Sequence, residues 1–222
     1  MIDISSFISY VDQRGATLVA VSKTKSPDDI LTVYNEGIRN FGENRVQELV
    51  TKHEVLPADV QWHMIGHLQS NKVKYIAPFV HMIHSVDSLK LLKTINKEAR
   101  KNERVIPVLL QMHIAQEETK FGLDESELQE IIRLYLDSNF PHVSIKGLMG
   151  MATFTDDQEK VRSEFSGLRD LFQRIKDSFE DLGNEFCHLS MGMSGDFEIA
   201  LDCGSTMIRV GSLIFGPRST NH

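Results

Sequence analysis

T-L-V-A-V-S (17–22), followed three residues later by S-P-D-D (26–29), decides how the whole chain is read. The first run is rich in β-branched residues and reads as a buried strand. In the second, Ser26 stands as an N-cap, Pro27 at the first helical position and Asp29 three residues past the cap, which announces a helix. The same alternation continues outward. Further strands are expected at 38–41, 61–65, 79–84, 105–111, 143–149, 186–189 and 207–211. Between them, Asn44 and Gln47 suit a capping box, 70–77 looks helical, and Asp87 opens a helix to about Lys101. Leu128, Ile131, Ile132 and Tyr135 share one helix face. Val161, Phe165, Leu168, Phe172, Ile175 and Phe179 mark the clearest helix, and Ile4, Phe7, Ile8 and Val11 mark one before the first strand. Eight strands alternating with helices imply parallel β/α units, and closure gives an α/β fold, a single-domain (β/α)8 TIM barrel over residues 1–222. An open doubly wound sheet is the runner-up, weakened because no G-x-G-x-x-G follows the first strand.

Composition narrows the function classes. Of 222 residues, 41% are apolar and 25% charged, enough to bury a core without disulfides or metal. Lys and Arg number 24 against 31 Asp and Glu, a net charge of −7. That argues against a nucleic-acid binder or a protein that coats anionic membrane, while leaving room for a local anion pocket. No run of about 18 apolar residues offers a membrane span. Met1 to Arg14 lacks the pattern of a signal peptide. Cys187 and Cys203 form no C-x-x-C pair and read as reduced thiols of a cytoplasmic protein. No linker-like stretch divides the chain.

A barrel places its active site at the strand C-termini, so reactive residues there are the candidates. Lys23 closes the first strand. A desolvated lysine there becomes an amine nucleophile able to form a Schiff base; the bland reading is a solvated turn lysine. Lys25 reads as solvated. Asn44 can offer its amide to a ligand, although from the residues alone a helix N-cap is the stronger reading; both can hold, because a cap uses the side-chain oxygen and leaves the NH2 free. His63 lies within the third strand and defaults to a buried, satisfied histidine. Ser190-Met191-Gly192-Met193-Ser194-Gly195 follows strand seven, where backbone N–H groups and a hydroxyl suit an anion. Gly204-Ser205-Thr206, Arg209 and Gly211-Ser212 surround strand eight, and loops after strands seven and eight are the usual phosphate site of such barrels. Together with Lys23 they suggest a phosphorylated aldehyde held as an imine. No metal is expected, since the nine histidines form no H-x-H or H-E-x-x-H. The methionines at 149, 151, 191 and 193 are expected to fill space.

The same residues carry a resemblance. A-V-S-K-T-K (20–25), F-G-E-N (41–44), W-H-M-I-G-H-L-Q-S-N-K (62–72), G-L-M (147–149), L-S-M-G-M-S-x-D-F (189–197) and G-S-T-M-I-R-V-G-S-x-I-F-G-P-R (204–218) resemble the pyridoxal 5′-phosphate (PLP) homeostasis proteins. These are single-domain relatives of the alanine racemase N-terminal barrel, fold type III. The resemblance implies that Lys23 forms an internal aldimine with PLP, that Ser194, Gly211 and Ser212 hold the phosphate, that Arg209 faces the pyridine nitrogen, and that Asn44 and His63 line the pocket. An arginine there leaves the ring nitrogen unprotonated, a weaker electron sink. Two departures stand out: Arg45 replaces the usual Tyr, and 112–120 differs from the usual N-x-S-x-E-x-x-K.

The resemblance implies a carrier that takes part in PLP homeostasis, supplies apo-enzymes and acts without catalytic turnover, as a cytoplasmic monomer. The other reading is an amino-acid racemase-like PLP enzyme; an aldolase using Lys23 without PLP is a minor third. Two-base racemisation needs an acid/base on each face of the substrate carbon. Lys23 serves one face. The tyrosines at 10, 34, 75 and 135 fall in helices, and the racemases' second β-rich domain has no room after Arg218. Lys72 and Lys120 are candidates for a second, transient PLP lysine.

Overall fold

The computed structural model describes residues 3–115 and 122–216. Eight parallel strands run β1 (Thr17–Val21), β2 (Asn40–Glu43), β3 (Gln61–Met64), β4 (Met82–Val86), β5 (Ile106–Gln111), β6 (Val143–Met149), β7 (His188–Ser190) and β8 (Met207–Val210). They close in sequence order, β8 pairing back to β1 with Val19 opposite Arg209. The expected barrel is therefore what the chain forms. Helices wrap it: α1 (Ile4–Gln13), α2 (Pro27–Asn35), α3 (Val46–Val55), α4 (Val73–Ile76), α5 (Leu89–Lys101), α6 (Glu125–Leu136), α7 (Gln158–Ser178), α8 (Phe197–Asp202) and α9 (Ser212–Phe215). No helix among the described residues is long and apolar enough to cross a membrane.

Strand alternation splits the core in two. Leu18, Ala20, Phe41, Trp62 and Met64 face outward and pack under the helices. Val19, Met82, Leu109, Met149 and Met207 form a separate buried cluster of inward-facing side chains. The barrel interior is thus filled, and the chemistry is left to the strand ends. Capping follows the sequence at α2, where Ser26 and Asp29 make the expected box behind Pro27.

Several boundaries differ from expectation, each for a visible reason. Phe79 and Val80 do not begin β4. Their N–H groups donate back to Ile76 O at 3.1 and 2.8 Å, prolonging the turn of α4, and sheet pairing starts with His81 N–H on Trp62 O at 2.8 Å. Asn44 is not a cap: Arg45 occupies the N-cap of α3 and makes no side-chain cap bond. Lys25 is only partly solvated: it is half-buried, and its Nζ donates to Phe215 O at 3.0 Å. Gly204-Ser205-Thr206 leads into the start of β8, the end away from the barrel mouth. Ser205 Oγ there bonds the carbonyls of Met191 at 2.7 Å and Met207 at 3.1 Å, a purely structural use. Met149 and Met191 fill space as expected, whereas Met151 is exposed. Cys187 and Cys203 are both free thiols.

Candidate functional site

Lys23 lies two residues beyond β1, half-buried in a turn at the C-terminal mouth of the barrel. Both of its neighbours are fixed from behind. Ser22 Oγ donates to Glu43 Oε1 at 2.6 Å. Lys52, on α3, donates from Nζ to Ser22 O at 2.9 Å, Glu43 Oε1 at 2.7 Å and Glu48 Oε2 at 3.2 Å. Glu48 Oε2 also accepts the Thr24 N–H at 2.8 Å. Thr24 is held at φ 65°, the left-handed region that a β-branched residue avoids, so this anchoring sustains a strained turn. The Glu43 and Lys52 side chains are only 0% and 7% exposed. Burial pushes the Glu43 carboxyl up, against the pull of Lys52 and Ser22.

Arg209 enters from β8 and is buried. Its Nη1 donates to Ser190 Oγ at 2.6 Å, on β7, and its Nη2 to Gly150 O at 3.1 Å, just past β6. Burial lowers the guanidinium to about 10, so it remains cationic at neutral pH. Among the described residues no carboxylate pairs with it, although Asp196 acts on it at longer range.

The loops after β7 and β8 converge as the sequence suggests. Ser194 Oγ accepts the Gly211 N–H at 3.2 Å. A Cβ on Gly211 would lie 3.1 Å from Val21 O, so glycine lets this loop press against the end of β1, beside Lys23. Ser212 is exposed at the first position of α9. Asp196 closes the β7 loop by accepting the Met193 N–H at 2.5 Å.

Asn44 follows β2, where a Cβ on Gly66 would lie 2.6 Å from its carbonyl oxygen. It lines a rim cleft of about 250 Å³ with Arg45, Gln47, His67 and Lys72. Both Arg45 and Lys72 therefore belong to the rim. Lys120, with Pro217 and Arg218 of the C-terminal motif, lies outside the described residues.

His63 is buried with both ring nitrogens bonded, to His84 at 2.9 Å and to Asn40 at 3.0 Å. It reaches Arg209 only through His84 and Ser190. Burial pushes His63 down to about 3, and His84 well below its ordinary value. Sequence reasoning quoted Ser190 within the anion loop and Glu43 within F-G-E-N without their bonds to Arg209, His84 and Lys52, and it gave His84, Glu48 and Lys52 no role. His84 closed the expected strand at 79–84; β4 runs on to Val86, and alternation from Met82 turns His84 inward.

The family model described as alanine racemase, N-terminal domain, matches residues 4–219. The pyridoxal phosphate homeostasis protein of Aquifex aeolicus is 42% identical over 204 residues, covering 91% of this chain and 87% of that protein. Its namesake in Helicobacter pylori strain 26695 is 40% identical over 209 residues, covering 93% and 90%. PipY of Synechococcus elongatus, solved with PLP bound, is 31% identical with a TM-score of 0.86, covering 96% of this chain and 100% of that one. An alanine racemase from Bartonella henselae shares the fold at 18% identity and a TM-score of 0.69; this chain spans 60% of its length. The convergence of Lys23, Arg209 and the Ser194–Gly211 pair on one barrel mouth accords with these likenesses, and the chain belongs to the pyridoxal phosphate homeostasis protein family, built on the alanine racemase N-terminal domain.

Proposed function

We propose that this chain works as a single PLP-binding domain in PLP homeostasis, that it holds the cofactor covalently on Lys23, and that it supplies apo-enzymes without turning over a substrate. The donor set fits the group: an amine, a buried cation and a hydroxyl–amide cradle that a Cβ at Gly211 would crowd. When bound, PLP supplies an aldehyde with which an amine condenses and a ring that withdraws electrons. Lys23 supplies the amine from a turn held rigid by Glu43, Glu48 and Lys52. Ser194, Gly211 and Ser212 take the phosphate through hydroxyl and backbone N–H groups. Asn44 contacts the ligand from the rim, and His63 supports the pocket from within the barrel.

Arg209 is the observation that carries the reading. Its bonds to Ser190 and Gly150 use two of the five guanidinium N–H groups, leaving donors for a ring nitrogen. A guanidinium keeps its proton, so a nitrogen facing it stays unprotonated and withdraws electrons weakly. That suits a protein that retains the cofactor better than one that stabilises carbanions. The helical placement of Tyr10, Tyr34, Tyr75 and Tyr135 supports the same reading over a two-base racemase.

The test is direct. The purified protein is mixed with PLP, its visible absorbance recorded, the adduct reduced with borohydride and the modified lysine mapped by peptide mass spectrometry. A single adduct on Lys23 is expected. No adduct, or modification scattered over surface lysines, overturns the reading.

A further inference from the structure

The interior of the barrel holds a line of polar side chains that the binding site does not explain. It runs from Arg209 through Ser190, His84 and His63 to Asn40 at the start of β2, crossing from the mouth toward the opposite end. The bonds are Arg209 Nη1 to Ser190 Oγ at 2.6 Å, Ser190 Oγ to His84 Nδ1 at 3.0 Å, His84 Nε2 to His63 Nδ1 at 2.9 Å, and His63 Nε2 to Asn40 Oδ1 at 3.0 Å. Ser190 and His84 are fully buried, and His63 nearly so.

Hydrogen-bond chemistry orders the protons. Asn40 Oδ1 can only accept, so His63 carries its proton on Nε2. A neutral His63 then accepts at Nδ1, which places the His84 proton on Nε2 and leaves His84 Nδ1 to accept from the Ser190 hydroxyl. Ser190 still has a lone pair for Arg209. Reversing the order would aim two donors at Ser190 Oγ and leave its own buried O–H without an acceptor among the described residues, a cost of about 1–3 kcal/mol. Burial keeps both histidines neutral, and the neighbouring His81 and His188 push the same way.

We propose that Ser190, His84 and His63 form a neutral counter-charge for Arg209, a head-to-tail relay whose lone pairs all face the guanidinium and whose protons all point toward Asn40. Aligned dipoles in a dry interior reinforce one another. They compensate a buried cation that has no carboxylate partner among the described residues. A paired carboxylate would instead take up the N–H groups by bidentate bonding. His84 and His63 are thus positioning residues for the arginine, and their bearing on the ligand rests on the PLP reading above.

The experiment has two arms. Nitrogen-15 NMR of the histidine rings in the full-length protein at neutral pH, assigned with His63→Asn and His84→Asn, is expected to show both rings neutral and protonated on Nε2. An Nδ1–H tautomer or an imidazolium at either ring overturns the relay. In the second arm, Ser190→Ala is expected to weaken PLP binding about tenfold, and Ser190→Thr, which restores the hydroxyl, to recover it. Wild-type affinity in Ser190→Ala refutes the positioning role. If the wild-type protein takes up no PLP, the functional reading fails, and the NMR arm alone then decides the relay.

Discussion

Replacing Lys52 with methionine probes the buried ion pair behind Lys23. The ammonium makes three bonds, to Ser22 O, Glu43 Oε1 and Glu48 Oε2. Glu48 is partly exposed, so it regains water and loses little. Glu43 is fully buried, and after the change it keeps only the Ser22 hydroxyl, while its Oε2 has no partner even in the wild type. Stranding a buried charge in this way costs about 3–5 kcal/mol. In a chain of this size that lowers Tm by roughly 6–20 °C, since each kcal/mol is worth about 2–4 °C. Urea denaturation without PLP measures the loss. Glu43→Gln added to Lys52→Met removes the stranded charge and is expected to recover at least half of the deficit, roughly 2 kcal/mol.

The pH dependence has a definite sign. Burial raises Glu43 in the folded protein, and the hydrogen bond from Lys52 is the strongest influence pulling it back down. A carboxyl raised on folding favours the fold while protonated, and this contribution is lost as pH rises through the folded value. Lys52→Met enlarges the rise. Its deficit is therefore greatest at neutral pH and shrinks as pH falls through the raised Glu43 value. A single-variant loss below about 1 kcal/mol, a double variant no better than the single, or a deficit that grows on acidification refutes the reasoning.

Three further outcomes are expected. Arg209→Ala should weaken PLP retention about 10- to 100-fold, the worth of one or two charge-assisted hydrogen bonds, yet leave Lys23 trappable by borohydride; equilibrium dialysis and peptide mapping read the two effects separately. Ser194→Ala should weaken PLP roughly tenfold and leave phosphate-free pyridoxal unchanged, which competitive absorbance titration compares. Gly66→Ala should destabilise by about 1–3 kcal/mol, because its Cβ would meet the Asn44 backbone at 2.6–2.7 Å, and should perturb PLP binding through Asn44; thermal melts with and without PLP test both.

The barrel was legible because its signals are local. Ser26, Pro27 and Asp29 make their helix start within four residues, and the eight apolar runs recur at β/α spacing. The mouth was legible wherever chemistry coincides with a strand end, as at Lys23 and at Ser194 with Gly211. Bonds between distant segments were not. Lys25 reads as solvated until α9 folds back and Phe215 offers its carbonyl. Asn44 reads as a cap until α3 begins two residues later. His84 stood at the end of the expected strand 79–84, but β4 continues to Val86, which sets His84 inside the strand on the same face as inward-pointing Met82. Glu43 stood in a quoted motif, but its partner Lys52 is nine residues away on another element, and nothing local announces their burial together.

The two sides of the mouth meet the cost of buried charge differently, and the difference follows from what each charge must do. Outside the barrel wall, Lys52 and Glu43 neutralise one another, and their remaining bonds grip the Ser22 carbonyl and hydroxyl. That pair acts on backbone, so spending its bonds there takes no donor away from a ligand and stiffens the turn that carries Lys23. Inside the barrel, Arg209 has to present donors. A carboxylate at contact distance would neutralise the guanidinium and occupy those donors together. A hydroxyl and a carbonyl stabilise the charge while taking one N–H each, at Ser190 and Gly150. The arrangement needs a dry interior, because water at Ser190 would break the alignment of the dipoles behind it. The packing of Val19, Met82, Leu109, Met149 and Met207 inside the barrel supplies that dryness. Opening it with Met207→Ser is therefore expected to disturb the His84 tautomer seen by NMR as well as to lower stability, whereas a polar substitution at exposed Phe154 should leave both unchanged.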